Sequence, residues 1–180
     1  MNLVVPLAMR ISLYTALREG DVCRLRWEDI KDGELRVVVS KSEAQRGSAR
    51  AARLSWKLSD HPGLKAAIDR ARELSLIHRR CPYIISHRPQ RRVWNEQKEH
   101  ICQVTGERLS RMFAEARDHA GVPGAVFHEI RGLSATLYKV AGYTNQEIQD
   151  LMAHEDVATT VGYQNADELP FKTVTMRIEQ

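Results

Sequence analysis

Cysteine is scarce in this sequence. Cys23, Cys81 and Cys102 are odd in number and show no paired spacing. That excludes the disulfide framework of a small secreted domain and makes a reducing cytosol the expected setting. Long apolar runs are missing too. None reaches the roughly 20 residues of a membrane-spanning helix, so no membrane partner is expected. The stretch from Leu3 to Met9 is apolar, but no basic residue precedes it, and it does not read as a secretory leader. The chain has no internal repeat, no low-complexity tract and no glycine-rich phosphate loop. Gly121-Val122-Pro123-Gly124 reads as a turn between helices. His78, Cys81, His87, His100 and Cys102 lie close in sequence but contain no Cys-X-X-Cys pair and no finger spacing, so no metal site is expected.

What is present is ordinary for one globular domain: 180 residues, 43% hydrophobic and 28% charged, enough to bury a real core. A net charge of +4 and an isoelectric point near 9.1 favour an anionic partner. The basic residues are clustered. Arg46, Arg50 and Arg53 form one group, and Arg79, Arg80, Arg88, Arg91 and Arg92 another. Such clusters are solvated loops or contacts for a phosphate backbone.

Apolar spacing predicts a buried helix from Val5 to about Leu17, then a short helix from Asp21 with the Asp21 carboxylate as its N-cap. Glu28–Ile30, Glu34–Ser40 and Ala51–Trp56 read as strands, with Asp32-Gly33 as a hairpin turn. A polar loop, 41–50, separates the last two. Further helices are predicted over Asp60–Leu74, Thr105–Ala120, His128–Val140, Asn145–Met152 and Val157–Tyr163. Val174, Met176 and Ile178 alternate with polar residues, a strand-like pattern. The expected fold class is α+β, mostly helical, with a small antiparallel three-stranded sheet near the beginning.

Against this background one ordered set carries chemistry: Arg18, Lys41, His128, Arg131, His154 and Tyr163. Arginine stays charged and offers a planar fork that fits phosphate oxygens. Two of them neutralise the non-bridging oxygens of a pentacoordinate transition state. His128 and Arg131, at i, i+3, share a helix face. A phenol has a pKa of about 10 and must lose its proton as it attacks.

The contexts of these residues resemble those of the tyrosine recombinases, the phage-integrase family. Thr15, Arg18, Asp21, Leu25, Trp27, Asp29 and Ile30 fall on the family's first-arginine motif. His128-Glu129-Ile130-Arg131 resembles its His-X-X-Arg motif, and Leu151-Met152-Ala153-His154 with Tyr163 its closing motif. The resemblance runs from about Leu7 to Tyr163. It implies a catalytic domain over 1–167 and a C-terminal strand or tail over 168–180, without the family's N-terminal core-binding domain and first catalytic-domain helix. It also implies that Tyr163 is the nucleophile, His128 a general base, and His154 a hydrogen-bond donor to the scissile phosphate. Lys41 follows a strand, where the family keeps the general acid for the leaving 5′-oxygen; Lys31 and Lys57 are the nearby substitutes. Asp21 is the acidic support. Ala16 and Ala153 stand where the family has glycine, so a positive φ at either would be strained.

The implied activity is site-specific DNA breaking and rejoining through a 3′-phosphotyrosyl link, as in a prophage integrase. It needs no cofactor, because arginines do the electrostatic work and one phosphoester is exchanged for another. The implied partners are double-stranded DNA with an attachment-type site, a homotetramer assembled on DNA from monomers, and accessory DNA-bending proteins. The tail is expected to dock in cis in a monomer and in trans on DNA. Two rivals share the motifs: a catalytically silent DNA-binding remnant of an integrase, and a type IB topoisomerase-like strand transferase.

Overall fold

The computed structural model describes residues 3–40, 44, 47, 51–77, 81–89, 98–152 and 171–178. Its centre is α1 (Val4–Thr15), which buries Val4, Val5, Leu7, Ala8 and Ile11 and hides even Ser12 and Thr15. A helix apolar on so much of its circumference needs neighbours on several sides. Its main ones are α3 (Pro62–Ile77) and α5 (Glu129–Val140), with α2 (Glu19–Arg24) and α4 (Gly106–His119) completing the shell. Thr105, the first residue of the helix predicted over Thr105–Ala120, caps α4 by accepting from the Arg108 amide. The short α6 (Asn145–Leu151) opens on a capping box between Thr144 and Glu147. No helix among the described residues is long and apolar enough to cross a membrane.

A small sheet leans on this core. β1 (Ile30–Lys31) and β2 (Glu34–Val38) form the expected hairpin, and β3 (Arg53–Lys57) pairs antiparallel with β2. At the turn Asp32 and Gly33 both have positive φ, 54° and 77°. That is the left-handed pair a two-residue hairpin loop requires. Leu35 faces Trp56 and Val37 faces Leu54 across the ladder, and all four are buried.

Three expectations change. Glu28 and Asp29 belong to a 3-10 turn, Trp27–Asp29, because the Asp29 carboxylate accepts from the Arg26 amide at 2.7 Å and curls the chain before β1. Among the described residues the sheet has four strands, since β4 (Lys172–Thr173) joins β3 in parallel. The tail alternation is right about burial, with Val174 and Met176 inside, but only Lys172–Thr173 pair as strand. Third, Asp21 does not cap α2. The helix begins two residues earlier, with Arg18 extended at the cap position (φ −67°, ψ 156°), so Asp21 lies within the first turn.

The tail sits in cis on its own domain. The Val174 amide donates to Ser55 O, His61 Nε2 bonds Val174 O at 2.9 Å, and Lys172 pairs with Asp150. Arg36 and Arg53 flank the Phe171 ring, their guanidinium carbons 6.0 and 5.4 Å from its centroid. Arg53, one of the clustered cations read above as a solvated loop or a phosphate-backbone contact, is thus turned toward the tail. The expected helix 157–163 lies outside the described residues, as do most of the loop 41–50 and Arg46, Arg50, Arg79, Arg80, Arg91 and Arg92.

Candidate active site

The site is built around the turn that ends α1. Thr15 Oγ1 donates to Ile11 O and accepts from the Leu17 amide, while Ser12 Oγ donates to Leu17 O at 2.9 Å. These bonds close the helix and turn the chain sharply, so that Arg18 starts α2. Ala16 carries the turn with φ 53°, ψ 18°, a left-handed conformation that glycine adopts without strain. Its methyl group is fully buried. Strain of about 1–2 kcal/mol is therefore set against roughly 0.8 kcal/mol of methyl burial and the lower unfolded-state entropy of alanine. Ala16→Gly is accordingly expected to change stability by less than about 1 kcal/mol, as read by urea unfolding. A larger gain would show that the turn holds strain nothing offsets.

Arg131 reaches into this turn from the first turn of α5. Its guanidinium donates from Nη1 to Ala16 O and from Nη2 to Met152 O, at the end of α6. Only 4% of the residue is exposed. Burial pushes its pKa down to about 10; the charge of Arg18 adds to that and Asp21 opposes it. The cation persists at neutral pH. Arg18 is half-buried, with Nη1 buried and lacking a hydrogen-bond partner among the described residues. Two guanidiniums in mutual repulsion are thus held beside one carboxylate. A dianionic transition state is what such a pair accommodates.

Asp21 is 2% exposed. Its Oδ1 accepts from the Ser40 amide at 2.9 Å, and Oδ2 is buried without a partner among the described residues. An open groove beside it is lined by Arg24, Arg26, Lys31, Arg36, Tyr83 and Phe171 among others. His128 is the N-cap of α5 and is exposed, one turn from the buried Arg131, whose amide donates to its carbonyl at 3.1 Å. The structure therefore brings together Arg18, Asp21 and Arg131, with His128 at the rim. Lys41, Ala153, His154 and Tyr163 lie outside the described residues.

Competing groups are engaged elsewhere. Burial, with Glu19 nearby, pushes the Cys23 thiol up to about 12, which makes it a poor nucleophile. Tyr138 is fully buried and donates to Tyr14 O at 2.6 Å; Tyr83 accepts from Arg26; Tyr143 accepts from the Arg177 amide. Lys31 and Lys57 both stand opposite Glu34, at the hairpin end of the sheet. Ser40 lies six residues along, about 20 Å away at strand rise. Among the described residues no group of three or more His, Cys, Asp or Glu is placed to hold a metal ion. Cys81 and Cys102 instead pack with Tyr83 in a small apolar cluster.

Sequence reasoning missed the two carbonyls that hold Arg131 and the amide that holds Asp21. Main-chain groups belong to every residue and leave no mark on composition. The Thr144 cap did leave one, as Thr-X-X-Glu.

Comparison with known proteins gives a consistent result. A family model described as the phage integrase family matches residues 3–169. Prophage integrase IntE of Escherichia coli (strain K12) is 30% identical over 165 residues, covering 87% of this chain and 39% of its own length. The integrase of Escherichia phage lambda is 28% identical over 160 residues, covering 83% and 38%. The chain spans about two-fifths of the length of these curated relatives. Among solved structures, the lambda integrase catalytic core aligns with a TM-score of 0.67 at 23% identity, over 95% of this chain and 86% of that one. A lambda integrase tetramer bound to a Holliday junction aligns with a TM-score of 0.61 at 27% identity, over 87% and 40%.

Proposed function

The chain belongs to the phage integrase family, and from that premise we propose that it is the catalytic domain of a site-specific DNA recombinase. Tyr163 attacks the scissile phosphate, forming a 3′-phosphotyrosyl link and releasing a 5′-hydroxyl. Arg18 and Arg131 neutralise the non-bridging oxygens as charge builds there. His128 takes the phenolic proton and His154 hydrogen-bonds the phosphate. Lys41 protonates the leaving 5′-oxygen. A partner strand's 5′-hydroxyl then attacks the link and completes the exchange. Each step trades one phosphoester for another, so the reaction consumes no ATP, and the arginines carry the electrostatic load.

The observation that carries this reading is the pairing of Arg18 and Arg131, two buried or half-buried cations anchored from separate helices and facing one carboxylate. Folding tolerates such a pair at a cost, and an anionic ligand repays it. The remote position of Lys31 and Lys57 favours Lys41 as the acid. In this reading residues 1–167 form the catalytic unit and 168–180 a tail that docks in cis alone and in trans in a DNA-bound tetramer. Accessory DNA-bending proteins would shape the site.

The test is covalent capture. Nicked duplexes from a randomised pool are incubated with the chain, and denaturant-resistant adducts are recovered and sequenced. The expected result is an adduct on a restricted set of sequences that is absent with Tyr163→Phe. No adduct would support the silent remnant instead. Relaxation of supercoiled DNA without strand transfer between two duplexes would favour the topoisomerase-like alternative.

A further inference from the structure

The groove that opens beside the site holds a second cluster of charge, which the reaction steps do not use. At its centre Arg26 lies over the Tyr83 ring, its guanidinium carbon 4.8 Å from the centroid. Arg26 Nη2 donates to Tyr83 Oη at 2.9 Å and also to the Glu99 carboxylate. Hydrogen bonds from the Tyr83 hydroxyl, and then from Arg26, hold the Glu99 carboxyl below its usual range. One anion is thus met by a guanidinium and a phenol hydroxyl at once. Both are donors that hold backbone phosphates in protein–DNA contacts.

The main chain fixes the two donors against each other. Arg26 and Tyr83 pair on a short antiparallel bridge, with the Trp27 amide donating to Pro82 O at 3.0 Å and the Ile84 amide to Leu25 O at 2.8 Å. Glu99 comes instead from an exposed bend, 73 residues beyond Arg26. Its ion pair with Arg26 is solvent-facing, the kind that contributes little and yields to a competing anion. The groove also leads back to the site, because Asp21, whose charge acts on Arg131, lines it as well. Arg26 follows Asp21 by three helical residues and two extended ones, roughly 10 Å along the chain. Each strand of a duplex carries a phosphate about every 3.4 Å of axis. A strand whose scissile phosphate meets Arg18 and Arg131 therefore has others within reach of Arg26.

We propose that Arg26 and Tyr83 form a subsite for a DNA backbone phosphate flanking the scissile one, and that Glu99 fills this subsite until DNA displaces it. This rests on the reading of the chain as a DNA recombinase. The exchange swaps one anion for another on the same two donors, and no covalent bond changes.

The test is equilibrium binding of the whole chain to a labelled duplex of arbitrary sequence across a salt series, since phosphate contacts carry no sequence preference. Circular dichroism checks that each variant is folded. Arg26→Ala should reduce the slope of log affinity against log salt by about 0.9, the loss of one phosphate contact. Arg26→Gln should do the same, which holds the test open if alanine disturbs the bridge. Glu99→Gln should bind about fivefold more tightly than wild type, because no carboxylate has to be displaced. The same change made in Arg26→Ala should gain less than about twofold, the share due to charge acting at a distance. Tyr83→Phe, made in the Glu99→Gln background, keeps the ring under Arg26 and loses the hydroxyl; binding should weaken about fivefold.

An unchanged salt slope in both Arg26 variants overturns the subsite and leaves DNA binding by the chain standing. Equal gains from Glu99→Gln with and without Arg26 overturn the displacement, and unchanged binding in Tyr83→Phe removes the hydroxyl from the subsite. A wild-type chain that shows no salt-dependent binding overturns the DNA reading itself, and this inference with it.

Discussion

Arg131→Lys is expected to slow covalent cleavage by about 10²–10³-fold, the loss typical of one electrostatic contact to a developing charge. The usual reason given for arginine at such a site is its fork, and under the proposed function this fork has two tasks. Two of its five N–H donors are committed to Ala16 O and Met152 O, which fixes the plane of the guanidinium between α1 and α6. The remaining donors have no hydrogen-bond partner among the described residues and can meet phosphate oxygens without a search. A lysine ammonium is a point donor on a flexible stem and cannot span both carbonyls. It keeps the charge and loses the aim. The Ala16 and Met152 carbonyls lose their shared donor as well, so the melting temperature should fall together with the rate. Single-turnover cleavage and thermal unfolding check both parts. A lysine variant within tenfold of wild type, with unchanged melting, would mean that charge alone is enough and that the two carbonyl contacts are incidental.

That double duty shows what a sequence exposes and what it hides. The helix 105–120 was legible because its signals are local: a threonine that can cap at Thr105, a helical apolar period, and Gly121 just past its end. So was the hairpin, where Asp32-Gly33 supplies the two left-handed residues its turn requires. The motifs gave the identity and order of Arg18, Asp21, His128 and Arg131. They did not give the arrangement, which depends on main-chain groups far apart in sequence: Ala16 O lies 115 residues from Arg131. Asp21 shows the same limit in a smaller way. An acidic residue near a helix start reads as a cap, yet this one is buried and turned to an amide 19 residues on. The parallel pairing of β4 with β3 was hidden for a related reason: two strand residues joining a strand more than a hundred positions earlier leave no periodic trace. The alternation of Val174 and Met176 reported their burial but not their partner.

Trp56→Ala is the second large effect expected, this time on the fold. Trp56 is fully buried in β3, facing Leu35 across the ladder, and its truncation leaves one of the largest voids this core can hold. Such changes cost about 3–5 kcal/mol. That compares with a total stability of roughly 5–15 kcal/mol for a domain. The position of β3 magnifies the consequence, because it pairs with β2 on one side and with β4 on the other. Loosening it releases the tail and the strand end at Ser40 together. Trp56→Phe should behave differently for a reason specific to this site. The indole Nε1 is buried without a hydrogen-bond partner among the described residues. An unsatisfied donor costs about 1–3 kcal/mol, so phenylalanine sheds that penalty while giving up part of the packing. The net cost is expected to be about 1 kcal/mol, well below that of the alanine variant. Urea unfolding of the three proteins measures the difference. Equal losses for phenylalanine and alanine would mean that the indole nitrogen carries no penalty and that shape alone determines what this position accepts.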